Sequence, residues 1–219
     1  MWHYEITDQY GWTREYSADQ TDNATEVWAI LVNEYHWTEN AASAVLGNLQ
    51  AESQLNPGQW EKDEGGNFSA GFGIGQWTPA TKVSDYVGSK DVNKMADGTK
   101  QVMLLVSRPS QYSDYYLNPD GTSTYYNESG LPYITNMEDF SQSTESIEKL
   151  TKLWAICWER PGSSYYNTSK DTRIRYANHW YDTLSDAPIP PPTPPQPPTP
   201  EDVEAFITAF FTKRRKKRS

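Results

Sequence analysis

The sequence predicts a mainly α-helical domain with one small β insertion. Two observations carry this reading: apolar residues recur at helical spacing in several stretches, and the glycine-rich segment among them has no helical period. With 219 residues, 36% hydrophobic and 14% aromatic, the chain can bury one core of ordinary size and still carry appendages. The expected division is a leader over 1–22, a folded body over 23–186, a proline-rich linker over 187–200 and a tail over 201–219.

Residues 1–22 are polar and aromatic without a clear period, and read as a leader that packs loosely or belongs to an interface. From Asp22 the pattern turns helical, with Val27, Trp28, Leu31 and Tyr35 near 3.6-residue spacing behind a cap at Asn23 or Thr25. Thr38 can cap a second helix, whose Ala42, Val45, Leu46 and Leu49 recur at i, i+3, i+4 and i+7. It should end near Asn56-Pro57-Gly58, because the residue before a proline is turned away from helix. Residues 60–77, "WEKDEGGNFSAGFGIGQW", read as a turn-rich hairpin or small sheet.

Thr78-Pro79 then reads as an N-cap followed by proline at the first helical position, and another helix is expected over about 99–107. Residues 109–135, rich in Tyr, Ser, Asn and Gly, form the long irregular stretch in which substrate-binding loops often lie. The clearest helix covers about 144–159, with Ile147, Leu150, Leu153, Trp154, Cys157 and Trp158 on one stripe before Pro161 stops it. A last body helix over about 170–184 shows Ile174, Ala177, Trp180, Tyr181 and Leu184.

Residues 187–200, "APIPPPTPPQPPTP", are a polyproline-II spacer; at about 3.1 Å per residue it is on the order of 40 Å long. Beyond it, Val203, Phe206, Ile207, Phe210 and Phe211 fall on one helical stripe that leads into "KRRKKRS". So short an amphipathic helix is marginal alone in water. The tail therefore reads as a docking peptide for a partner or an anionic surface, or else as a solvated disordered end.

Charge is divided along the chain. Residues 1–186 hold 13 lysines and arginines against 26 aspartates and glutamates, a formal charge of −13. Such a body is a poor partner for nucleic acid and is not drawn to anionic wall polymers by electrostatics. The single Cys157 excludes an internal disulfide, and His3, His36 and His179 are scattered without ligand spacing, so neither metal nor cofactor is expected. No run approaches the length of a transmembrane helix, and the N-terminus has no signal-peptide pattern.

One residue breaks the helical logic. Glu52 lies seven residues after Val45 and three after Leu49, so it continues the buried stripe of the second helix. A carboxyl there faces the core or a cleft beside it, and burial favours the protonated state that a general acid needs. The alternative is a glutamate held by an arginine, with Arg160 or Arg175 as candidates.

The surroundings of Glu52 carry a resemblance. "ESQLNP" followed by "SAGFGIGQWTPAT" resembles the lysozyme and lytic-transglycosylase superfamily. More closely, "HWTENAASAVLGNLQAES" through "GFGIGQWTPAT", with "CWERPG" and "HWYDTL", is similar to the phage tail lysozyme family, over about residues 24–184. That family includes the tail-knob wall-degrading protein of small podophages of Gram-positive hosts.

The resemblance implies a lysozyme-like fold with its β insertion beside the catalytic helix, and it matches Glu52 to the family's catalytic acid. Glu52 would protonate the glycosidic oxygen between N-acetylmuramic acid and N-acetylglucosamine. Ser53 would bond a group of the cleft or be a plain helix-end residue, and Gln76 would contact sugar or water. Gly71, Gly73 and Gly75 let the backbone approach a saccharide, although turn geometry alone also demands glycine. Trp77 and Trp60 are candidates for stacking on pyranose rings or for the core.

For the second carboxylate, the similar order in T-even phage lysozymes points to the β insertion, where Asp63 ranks first, Glu64 next, and Glu61 is also present. "WERPG" at 158–162 reads as structural, with Glu159 and Arg160 pairing or capping at a helix end. Tyr115, Tyr116, Tyr125, Tyr126, Tyr165 and Tyr166 either line the groove or pack a surface. Family members are often followed by a zinc endopeptidase domain; no H-x-x-x-D or H-x-H pair follows the body here.

The expected activity is that of a muramidase in a phage or prophage tail, acting on peptidoglycan beside other tail proteins and opening the wall as DNA enters the host. The rivals are a lytic transglycosylase, a released endolysin, and a non-catalytic tail-tip or glycan-binding protein.

Overall fold

The structure is a computed structural model that describes residues 1–9, 12 and 14–185. The proline-rich linker and the amphipathic tail expected beyond them lie outside the described residues. Among those residues there are eight α-helices and no strand. None of the helices is long and apolar enough to cross a membrane.

Helix α1, Ala18–Trp28, starts earlier than the apolar pattern predicts. The cause is a capping box: the Ser17 hydroxyl accepts from the Gln20 amide, and the Gln20 side chain accepts from the Ser17 amide at 2.9 Å. The helix then widens into a π turn over Ala29–Glu34. The preceding segment is strapped to the body. Asn23 exchanges two hydrogen bonds with the His3 backbone, Asn56 does the same with Glu5, and the Trp2 indole donates to Thr99.

Helix α2, Glu39–Ser53, is capped by Thr38 as its sequence predicts. Every residue from Ala41 to Gln50 is buried, so α2 is the central rod of the molecule, apolar or small nearly all round. A single stripe understates it. It packs chiefly on α8 (Ser163–Leu184) and α7 (Ile147–Trp154). Gly47 permits the closest of these approaches: a Cβ there would lie 2.4 Å from the Arg173 carbonyl oxygen and 2.7 Å from the Ala177 Cβ.

The expected β insertion is reduced to single bridges, Trp60 with Phe72 and Phe72 with Trp77. Left-handed backbone at Asp63, Gly66, Gly73 and Gln76 turns the chain too often for a ladder to grow. Side chains take over the backbone bonding. Buried Gln101 accepts from the Ile74 amide at 2.7 Å and donates to the carbonyls of Pro57 and Met95.

The Thr78–Pro79 peptide is cis, and α3 (Thr81–Val87) begins beyond it with Ala80 as its cap, so Pro79 is not the first helical residue. The short α4 (Val92–Met95) precedes α5 (Gly98–Val106), which Asp97 caps in the region where a helix was expected. Residues 109–135 are irregular apart from one turn of 3-10 helix, and α6 (Met137–Ser141) follows. Ser146 caps α7, which continues as a π turn over Ala155–Glu159. Helix α8 starts well before residue 170 because its first turns, "SSYYNTSK", present mostly polar residues to solvent and leave no apolar stripe to read.

Candidate active site

The site begins at the C-terminal end of α2. The chain leaves the helix through two successive left-handed residues, Gln54 (φ 57°) and Leu55 (φ 64°). The Ser53 hydroxyl donates to the Leu49 carbonyl at 3.1 Å and to the Ile74 carbonyl at 2.8 Å, which ties the glycine-rich loop to the helix end. Glu52 stands beside this junction with its side chain 18% exposed.

The Glu52 carboxylate accepts a hydrogen bond from Nη2 of Arg173 at 2.5 Å, and Arg173 is fully buried. A second nitrogen of the same guanidinium, Nη1, donates to Asn48 Oδ1 at 2.8 Å, and its Nε donates to the Ser169 hydroxyl. Asn48 cannot turn, because its amide nitrogen is engaged by the carbonyls of Ala44 and Thr151. The arginine on Glu52 is therefore Arg173 and neither of those named from the sequence. Arg175 is exposed and pairs with Glu15, while Arg160 donates to the Gln111 carbonyl. A signal was present: Arg173 lies four residues before Ala177 and seven before Trp180, on the buried stripe of α8.

The same glycine-rich loop walls a cleft of about 250 Å³, whose lining does not include Glu52 or Arg173. One wall is Gly75, Gln76, Trp77 and Thr78, the other is Trp158, Glu159 and Arg160, and Lys82 and Gln111 complete the lining. Glu159 is the residue that the sequence reading placed in a structural role. Its Oε1 accepts from the Trp154 indole at 3.0 Å. Burial raises the pKa of this carboxyl above the ordinary range, and the charge of Glu52 raises it further, against the opposing pull of Arg173, the Trp154 hydrogen bond and Arg160.

The other expected site residues divide. Gln76 lines the cleft, but its amide nitrogen donates to the Gln59 and Gly73 carbonyls and so shapes the loop. Gly73 is required by its φ of 86° and by Gln101, whose Oε1 would lie 2.3 Å from a Cβ there. Gly75 has ordinary space around it and faces the cleft, so it is the glycine past which a ligand can approach the backbone.

Trp77 is buried edge-on to Trp158, and Trp60 packs on Phe68 and Phe72; neither offers a free face for stacking. Trp77 still borders the cleft, and its indole N–H has no protein acceptor.

Asp63 and Glu64 are exposed, the first bonded to Gln9 and the second to Asn67, and neither is among the residues lining the cleft. Glu61 accepts from the Gly71 amide. Tyr115, Tyr116, Tyr125, Tyr126 and Tyr166 form one connected cluster, with Tyr116 stacked on Tyr125 at 4.5 Å and Tyr126 against Tyr166 at 4.8 Å. Tyr165 lies 5.7 Å from the Arg173 guanidinium, at the border of the site.

A profile of the phage tail lysozyme family matches residues 22–184. The chain belongs to the phage tail lysozyme family. Morphogenesis protein 1 of Bacillus phage B103 is 34% identical over 149 residues, which is 68% of this chain and 36% of that protein. The chain thus spans little more than a third of the length of that curated relative. The span shared with the phage tail lysozymes contains Glu52, Arg173, Glu159 and every residue of the cleft, while most of the leader precedes it.

Proposed function

We propose that this chain is a peptidoglycan glycan-strand hydrolase, a muramidase that cuts between N-acetylmuramic acid and N-acetylglucosamine with Glu52 as catalytic acid. The observation that carries the reading is the placement of Glu52 in a member of this family: a partly exposed carboxyl at a helix end, fixed by a buried arginine and joined through Ser53 to a glycine-rich loop that walls a cleft. Fixed geometry orients the carboxyl for a leaving oxygen, and Glu52 must take up a proton before substrate is cleaved. Gly75 admits the saccharide close to the backbone.

The relative's name, a phage morphogenesis protein, supports a place in the phage particle, where the enzyme would open the wall as DNA enters the host. Tethering to a particle supplies high local concentration to an acidic body that anionic wall polymers do not attract.

The test is mass spectrometry of fragments released from Gram-positive sacculi by the wild type and by Glu52→Gln. New reducing ends that vanish in the variant are the expected result. Anhydro ends would make the enzyme a lytic transglycosylase, and no Glu52-dependent release would leave a glycan-binding or structural component. Detection of the chain in purified particles would separate a tail protein from a released endolysin.

A further inference from the structure

The cations packed against the body of this molecule have carboxylate partners: buried Arg173 has Glu52, and half-buried Lys152 and Lys170 share Glu128. Lys82 and Arg160 break that pattern. Both line the cleft walled by residues 75–78 and 158–160, and among the described residues neither has an ion pair. Arg160 is fixed by a neutral acceptor, the Gln111 carbonyl at 2.9 Å, while the ammonium of half-buried Lys82 has no hydrogen bond. Arg108, at the start of the 3-10 turn that carries Gln111, adds like charge to Lys82.

One acid shares this lining, Glu159. Its Oε1 is taken by the Trp154 indole, and burial together with the charge of Glu52 favours its protonated form against the pull of Arg173 and Arg160. It therefore does not serve as the counter-charge of the two cations. Residues 1–186 carry a formal charge of −13, so positive charge gathered at one cleft is a local exception to the rest of the body. Cations drawn partly out of water without a counter-charge are costly, and an anionic ligand oxygen placed between them gains charge-assisted hydrogen bonds.

Size and position narrow the ligand. At about 250 Å³ the cleft lies below the roughly 300–1,000 Å³ of sites for drug-sized ligands, so it suits a side group of a polymer and not a run of sugar rings. It also lies beside the acid. Glu52 and Ser53 end α2, Ser53 bonds the Ile74 carbonyl at 2.8 Å, and Gly75 begins the cleft wall. In the hydrolase reading, on which this inference rests, the sugar cut at Glu52 is N-acetylmuramic acid. Its lactyl ether carries a peptide whose free ends and acidic side chains are carboxylates.

We propose that the cleft is a subsite for the peptide stem of that muramyl residue, with Lys82 and Arg160 binding a stem carboxylate. No bond is made or broken there; the cleft selects strands that carry stems and aligns the muramyl ring beside Glu52.

The deciding measurement is an amide-resolved NMR titration of the full chain with N-acetylmuramyl-L-alanyl-D-glutamate, which has no bond between sugars to cut. Saturable shifts are expected at the Gly75 and Gln76 amides and at the Trp158 indole. Kd should rise about ten-fold or more in Lys82→Gln, and likewise for the ligand with both carboxyls amidated. Lys62→Gln, which removes the same charge from an exposed position outside the cleft, should leave Kd where it is. Equal binding of the amidated ligand, or a Kd that Lys82→Gln does not move, would overturn the proposal. So would tighter binding of glycerol phosphate oligomers that is lost in Lys82→Gln, since the anion of the site would then be a phosphate.

Arg160→Gln should behave as Lys82→Gln does. If it fails to fold on losing the Gln111 bond, Lys82→Gln decides alone, because Lys82 has no side-chain bond to lose. In turnover, KM for soluble strands stripped of stems by an amidase should exceed KM for intact strands about ten-fold, and Lys82→Gln should close that gap. The titration needs no turnover, so the two readings fail separately. Stem binding without fragment release sinks the hydrolase and keeps the subsite; Glu52-dependent release without stem binding sinks the subsite and keeps the hydrolase.

Discussion

At the scale of single residues, the site is a set of side chains whose partners are already committed. Arg173 has no freedom, since Asn48 and Ser169 hold it while Glu52 takes the remaining charge. Arg173→Met should lower stability by about 2–3 kcal/mol in urea unfolding, because it strands Glu52 and the Asn48 oxygen together. Fragment release should fall with it. Glu159 gives a pH signature of the opposite sign to that of most carboxyls. Its proton is held more tightly in the folded than in the unfolded chain, so its contribution is fully present below about pH 4.5 and is lost as pH rises through the raised folded value. Melting temperature should therefore decline over that window, and Glu159→Gln should flatten the decline. Glu52 was legible because a charge on an apolar stripe is conspicuous. Glu159 was not, because what distinguishes it is its place in the wall of a cleft shared with residues 75–78, a segment far away in sequence.

At the scale of elements, helix contacts place these side chains, and glycine decides the closest contact. Gly47→Ala would drive a methyl group into the α8 backbone at Arg173, where the neighbours are backbone atoms and a Cβ with no rotamer to escape through. A loss of about 1–3 kcal/mol is expected by thermal or urea unfolding, with reduced fragment release because Arg173 moves with α8. Ser17→Ala removes the capping box of α1 and should cost about 1 kcal/mol without altering release. Helices α2, α5 and α7 were readable from caps and periodicity, which are local. The glycine-rich segment was not readable as it stands. Its alternation of apolar and small residues fits a sheet, whereas left-handed turns and the amide of Gln101 use up the backbone groups that a sheet would need.

At the scale of the whole molecule, the leader closes the structure by joining three regions distant in sequence. His3 bonds to α1, Glu5 to the segment after α2, and Trp2 to α5, with the Trp2 ring packed over Gly98. Deleting residues 1–7 should lower the melting temperature by several degrees and raise hydrogen exchange at Asn56 to Gly58, which lose Glu5 and Thr7 as neighbours. The division into helical body and irregular loops was legible because it follows from composition and pattern. The strap was invisible because, apart from the Trp2 indole, the bonds that tie it to Asn23 and Asn56 use leader backbone groups that every sequence possesses. The π turn at the end of α7 has a further consequence for the cleft. A π turn holds one residue more than the α turn it replaces, so it shifts the phase of everything after it by roughly 100°. Glu159 thus faces Trp154 and the cleft through a matter of counting: regular α winding of the same residues would swing the acid to another side of its helix, whereas removing a single residue from Ala155–Trp158 would restore regular winding and leave its facing unchanged.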